Sequence, residues 1–459
     1  MSFREYPKYR QGGVGFGGRV PDHWSIMRLR FAAELNASKI EISSIAKGTR
    51  VSFLPMAAIG DNGCLSLDSE KTIGEVESGY TYLRDGDVVV AKITPCYENG
   101  KGAFVQGLVN GIGFGTTELI VVRPRHDKVT GAYLHYLFTS SNFRNLGVSY
   151  MYGAGGQKRV PDDFVRNYFA ALPPIAEQAQ IVMFLDRETA KIDELVAEQR
   201  RLMALLKEKR QAVISHAVTK GLNPDAPMKS SGVEWLGDVP AHWALRRLKT
   251  LAGFTTSGPR GWSERTGEEG ALFIQSGDLT DNLTIDFSDA KRVLVEDNAE
   301  AVRTRLNDGD IVVCITGAKT GNVAVCNAVS EPAYINQHLC LIRLLQDVMP
   351  MFLGLSLSGN VGQIHFELSQ YGLKQGLGLE DIGETAVPLP PWDEQHAIAK
   401  YLAAEIARVD DMAAAALGTI RLLHERRSAL ISAAVTGQID VRGLAEPVSA
   451  RSFASVATA

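Results

Sequence analysis

One stretch of this sequence is written twice. Leu172–Thr219 (LPPIAEQ through SHAVT) and Leu389–Thr436 (LPPWDEQ through SAAVT) align at an offset of 217 residues, and more than two in five of their 48 paired positions are identical. Beyond the opening Pro-Pro neither copy contains another proline, and apolar residues recur at helical spacing, so each copy predicts one long helix. About forty residues at a rise of ~1.5 Å make a rod of ~60 Å, longer than a small domain is wide. Whatever else the chain does must be arranged around two such helices.

Steps of four and three through Ile181, Leu185, Glu188, Ile192, Leu195, Gln199, Leu202, Leu206, Lys209 and Val213 trace a seam, seven of its ten members apolar. Ile398, Leu402, Glu405, Val409, Met412, Ala416, Thr419, Leu423, Arg426 and Leu430 repeat it. Charge selects the direction of pairing. The first copy holds six acids and two bases over 177–198, then one acid and five bases over 199–217. The second holds five acids and two bases up to residue 415, then one acid and three bases. Parallel pairing would set like charge on like charge, so the sequence predicts an antiparallel pair, in a register facing Glu188 with Arg426 and Glu405 with Lys209. Glu177, Gln178, Glu394 and Gln395, at the two helix starts, are assigned with these four to helix pairing and partner docking. The competing expectation is that each helix packs separately on its own domain.

Composition sets the outer bounds. The 459 residues, 45% apolar and 22% charged, suit two to four domains of a soluble globular protein. The chain has no run of eighteen apolar residues, and its start, MSFREYPKYRQ, lacks the apolar core of a signal peptide, so a cytoplasmic protein without membrane contact is expected. Cys64, Cys96, Cys314, Cys326 and Cys340 show no metal-ligand spacing and are expected to be buried, reduced thiols. A formal net charge of −4 excludes adhesion to nucleic acid over the whole surface; contact with DNA must come from local patches.

The repeat extends beyond the helices. Gly13–Trp24 (GVGFGGRVPDHW) has the look of a phosphate loop until it is set beside Gly232–Trp243 (GVEWLGDVPAHW), where Glu234 and Leu236 replace two of the glycines. Both copies keep Val-Pro-x-His-Trp, an extended lead-in anchored by a buried Trp, with His23 and His242 in packing or capping roles. Each lead-in opens an α+β module. In each module an Asp-Gly turn feeds a β-branched run (Leu83–Thr94 and Leu306–Thr316), followed by a second strand (Glu118–Pro124 and His338–Leu344) and a short helix. The order expected is a first module with its lead-in (1–171), helix (172–219), linker (220–231), second module (232–387), helix (388–437) and a fraying tail (438–459).

Between these shared elements the modules diverge. The loops after the Asp-Gly strands, with Lys92, Thr94, Tyr97, Asn99 and Lys101 in one and Thr316, Lys319, Thr320 and Asn322 in the other, carry side chains suited to phosphates and base edges. A second Gly-rich loop adds Gln157, Lys158 and Arg159, matched by Lys374 and Gln375. The competing reading is of ordinary polar hairpin tips.

The doubled architecture, the Pro-Pro-x-x-Glu-Gln helix starts at Pro173–Gln178 and Pro390–Gln395, the SGVEWLGDVPAHW segment and the closing AVTGQID together resemble the specificity subunit of type I restriction-modification enzymes, over residues 7–441. The resemblance implies two target-recognition domains, each followed by a long helix. The resemblance further implies that the helices form an antiparallel coiled coil with pseudo-twofold symmetry, which would space the domains and dock methyltransferase subunits. Each domain would read one half of a bipartite site in double-stranded DNA. It also implies no catalysis and no cofactor or metal in this chain. S-adenosylmethionine, ATP and Mg2+ would reside on partners, expected as two modification subunits and a motor-nuclease restriction subunit. Gly15, Gly17 and Arg19 depart from the family's usual acid, Leu and acid.

Two other classes compete. A DNA methyltransferase needs Asn or Asp before its Pro-Pro-aromatic, to accept hydrogen bonds from the target amino group, and Leu172 and Leu389 stand there instead. Asp289 and Lys291 have a nuclease-like spacing but no upstream Pro-Asp. A standalone DNA-binding regulator or an assembly scaffold would share the architecture, although divergent loops favour readers over a scaffold.

Overall fold

Both repeated stretches are helices, Ile175–Lys220 and Trp392–Val435, in a computed structural model that describes residues 3–13, 16–60, 63–154, 156–370 and 376–444. Proline pairs fix where they start, and glycines where they stop: Gly221 and Gly437 stand just beyond the ends at φ of +75° and +73°, a left-handed conformation that only glycine adopts without strain. The chain divides near the middle of each helix. Residues 1–199 and 418–459 form one unit, and residues 200–417 the other.

Within the first unit the opening half of the first helix meets the closing half of the second. Tyr133 Oη reaches both Ala171 O and Val435 O, at 3.3 and 3.1 Å, and further along Arg427 bonds to Asp193. In the second unit a Cβ on Gly221 would lie 3.2 Å from Glu394, and Arg210 pairs with Asp410 at 3.6 Å. The helices therefore run antiparallel in each unit, as charge predicts. The register differs from the expected one. Asp193 and Asp410 are repeat equivalents, as are Arg210 and Arg427, so each unit holds the same ion pair. Glu188 bonds instead to Arg187 and Lys191, each at 3.0 Å, and Glu405 bonds to Arg408 on its own helix; Lys209 and Arg426 are exposed.

Burial shows why. One line of the expected seam holds: Leu185, Ile192, Leu206, Leu402, Val409, Ala416 and Leu430 are buried. The other line holds at its first members, buried Ile181 and Ile398, then falls one residue later, on Thr189, Val196, Met203 and Arg210 and on Ile406, Ala413, Ile420 and Arg427, leaving Leu195, Leu202 and Met412 exposed.

The modules share the strand order of one sheet and a parallel pair in the other. In the first, Ala33–Leu35, Leu119–Pro124, Val88–Ala91 and Gly102–Phe104 form a four-stranded sheet in that spatial order. In the second, Ala252–Ser257, Leu339–Leu344, Ile311–Cys314 and Val323–Val325 repeat it. A second sheet in each has one parallel pair, Arg50–Leu54 with Ile112–Gly115 and Ala271–Ile274 with Ala333–Ile335. The Asp-Gly-Asp turns do more than reverse the chain. Asp87 and Asp310, both buried, accept paired hydrogen bonds from Arg123 (2.8 and 2.9 Å) and Arg343 (2.9 and 2.7 Å) on the neighbouring strand, so each turn is riveted to the sheet.

The lead-ins pack as expected. Trp24 and Trp243 are each 1% exposed. His23 and His242 lie 2.7 and 2.8 Å from Glu177 and Glu394, which places these two glutamates in clamps on the lead-ins rather than between the helices. Their neighbours are clamps too: Gln178 accepts from Thr130 N and donates to Lys128 O, while Gln395 accepts from Met349 N and donates to Pro390 O. The linker is partly ordered, with Met228–Ser230 pairing with Asp238–Pro240. The tail is packed as far as Val441, which is buried beside Asp440, whose N–H donates to Arg4 O at 2.7 Å; residues 445–459 lie outside those described. Of the thiols, Cys314, Cys326 and Cys340 are buried, but Cys64 is exposed and Cys96 half-buried.

Candidate nucleic-acid interface

The strand Val88–Ala91 delivers the chain into the loop 92–101, and backbone pairing ties this loop to the second candidate loop. Val160 N donates to Lys92 O and Thr94 N to Lys158 O, both at 2.9 Å, while Thr94 Oγ1 donates to Gly156 O at 2.6 Å. The two Gly-rich segments picked separately from the sequence thus form one edge. The second module does the same with fewer residues: Leu377 N donates to Ile315 O at 2.8 Å, joining the loop 316–322 to the segment that begins, among described residues, at Gly376.

Several candidate side chains turn out to build the loops. Tyr97, 1% exposed, points inward and donates to Phe143 O at 3.1 Å, so it cannot reach DNA from this position. Arg159 is held by Glu118 at 2.8 Å, and the hydrogen bond from Arg159 keeps that carboxyl below the usual carboxylate range. Lys101 Nζ donates to Met56 O at 3.4 Å. In the second module Thr320 donates to Gly317 O at 2.7 Å within the loop, while exposed Lys319, donating from Nζ to Gly277 O and Leu279 O at 3.0 Å, and Asn322, donating to Leu279 O at 3.2 Å, tie the loop to the segment 277–279. Thr316 Oγ1 lies 2.5 Å from His338 Nδ1.

Asn99, Gln157 and Lys158 are exposed at the edge of the first module, with half-buried Lys92 beside them. Lys374 and Gln375 lie outside the described residues. Sequence reasoning missed His338, exposed next to the loop of the second module, because it opens a strand that reads as framework. No group of acids, cysteines and histidines able to hold a metal occurs among the described residues, and none of their helices is long and apolar enough to cross a membrane.

The family model for the type I restriction modification DNA specificity domain matches residues 243–411, which span the second module and the opening of the second helix. The EcoAI specificity subunit of a type I restriction enzyme from Escherichia coli is 42% identical over 187 residues, 40% of this chain and 31% of that protein, so the match spans less than a third of its length. Among solved structures, a chain from a type I R-M system superposes with a TM-score of 0.65 at 22% identity, covering 92% of this chain and 99% of that one. The HsdS subunit from Thermoanaerobacter tengcongensis superposes at 0.53 and 20% identity, covering 94% and 100%. At those identities the likeness is one of fold. Residues 243–411 match the type I restriction modification DNA specificity domain family.

Proposed function

We propose that this chain is the DNA-reading subunit of a type I restriction-modification complex, in which each module reads one half of a bipartite, asymmetric site. The observation that carries this reading is the pairing of one sheet of identical strand order with unlike loops: the same strands of that sheet lead into 92–101 and 316–322, which differ in length and side chains. Two copies of a framework bearing different loops select two different sequences. Lys92, Asn99, Gln157 and Lys158 would meet DNA in the first module; in the second, Lys319 and His338 stand exposed at the corresponding edge, His338 hydrogen-bonded to Thr316.

The helices supply spacing and docking. Leu195 and Leu422 in the first unit are exposed, and so are their repeat equivalents Met412 and Leu205 in the second. Each unit thus exposes two large apolar side chains at repeat-equivalent positions, which suits two copies of one methyltransferase partner. S-adenosylmethionine, ATP and Mg2+ would be held by the partners, and this chain would contribute no reacting group. Mapping modified bases in DNA treated with the reconstituted methyltransferase complex tests the reading. Two short defined sequences separated by a fixed unread spacer support it; modification without sequence preference, or by this chain alone, contradicts it.

A further inference from the structure

The reading loop of each module is held from behind by one helix, and the two modules do it with exchanged parts. In the first, Arg144 on the helix Ser141–Ser149 donates from Nη1 to Tyr97 O at 2.9 Å and from Nη2 to Gly100 O at 3.0 Å. In the second, Gln363 on the helix Asn360–Leu368 donates from Nε2 to Gly321 O at 2.9 Å. These are equivalent positions: Ser141 N and Asn360 N, three residues before each, bond to the repeat-equivalent hydroxyls of Ser432 and Ser215 at 2.9 and 3.0 Å.

Packing beneath the loop is exchanged in the same way. Tyr97 of the first loop fills the buried space against Gly147, where a Cβ would stand 1.8 Å from its hydroxyl oxygen. In the second module the loop carries Gly321, and the plug is Phe366 on the helix, 3.7 Å from where a Cβ on that glycine would be. Bulk on the loop faces a glycine on the helix in one case, and the reverse holds in the other.

Arg144 is an unusual choice for such a task. It is 8% exposed, its Nε has no hydrogen-bond partner among the described residues, and its partners are carbonyls and the ring of Tyr97, 4.8 Å from the guanidinium carbon. Burial pulls its pKa down to about 10, which leaves it charged at neutral pH. A neutral Gln suffices at the same position in the other module.

We propose that Arg144 and Gln363 are positioning residues that set the reading loops, each fixing base selection in its own half-site and leaving the other untouched. The proposal rests on the bipartite reading above. Carbonyls bound from behind lock the loop backbone, and a loop displaced by about an ångström loses the bidentate geometry on which base discrimination depends.

The test uses the methyltransferase complex assembled on the full chain, with a DNA library randomised in both half-sites and modified bases as the readout. Arg144→Leu is expected to relax discrimination in one half-site about tenfold or more, with the other unchanged. Arg144→Gln, which keeps donors and removes the charge, is expected to restore it. Gln363→Leu, a neutral change less prone to disturb folding, is expected to relax the opposite half. Equal relaxation of both halves by either Leu variant, or unchanged discrimination in both, would overturn the proposal. A wild-type complex that shows no bipartite site would instead overturn the underlying reading.

Discussion

Replacing Glu177 by leucine should loosen the first lead-in, whereas the same change at its repeat equivalent Glu394 should have little effect. Glu177 is buried and accepts from Tyr6 Oη at 2.7 Å and from Trp24 Nε1 at 3.0 Å, with His23 Nε2 at 2.7 Å. Tyr6 and Trp24 are themselves buried, so Glu177→Leu strands two donors away from water. Each stranded donor costs about 1–3 kcal/mol, or roughly 2–6 kcal/mol together. Among the described residues the Glu394 carboxylate hydrogen-bonds to the half-exposed His242, and Trp243 Nε1 has no partner even with Glu394 in place. Glu394→Leu therefore gives up one solvent-screened pair, about 1 kcal/mol or less. Amide hydrogen exchange over 6–24 and 228–243 in the full chain reads both lead-ins separately. The first should exchange at least about thirtyfold faster in Glu177→Leu, and the second should change by less than about fivefold in Glu394→Leu. Comparable loosening of the two lead-ins would refute the reasoning.

Other outcomes follow from the same geometry. Leu206→Ala, at a position 4% exposed, should cost about 2–5 kcal/mol in urea unfolding, whereas Leu205→Ala, 53% exposed, should stay within about 0.5 kcal/mol yet weaken methyltransferase binding. Burial pushes the thiols of Cys326 and Cys340 up to about 12, so a thiol reagent at pH 8 should label Cys64 rapidly and these two only on unfolding, as mass spectrometry of the peptides would show. Because Asp440 N reaches Arg4 O, a chain whose ends are joined and which is reopened within 222–227 should keep its unfolding midpoint within a few degrees. Lys158→Ala should weaken DNA binding by the complex for all sequences alike and lower the salt slope by about 0.9.

The long helices and their direction were legible because duplication and charge segregation are properties of sequence alone. The seam was only half legible. Leu195 and Val196 are adjacent apolar residues, as are Leu202 and Met203, so spacing could not choose between them. In the observed register Asp193 pairs with Arg427 and Asp410 with Arg210 across the helices, partners that spacing within one helix does not reveal. The candidate loops do come together at one edge of each module, but several of their side chains hold the loop as well as, or instead of, facing outward. Tyr97, Lys319 and Asn322 have the chemistry of base and phosphate contacts, yet a short loop must also satisfy neighbouring carbonyls and fill the space beneath it. Arg144 escaped notice because nothing local marks it, since its partners are 47 and 44 residues away.

The account stands on each module carrying its own half of the recognition. Replacing residues 24–171 by residues 243–387, so that the chain holds the second module twice, and mapping the bases modified by its methyltransferase complex tests that directly. Two copies of a single half-sequence around a spacer are predicted; retention of the original asymmetric site would contradict it.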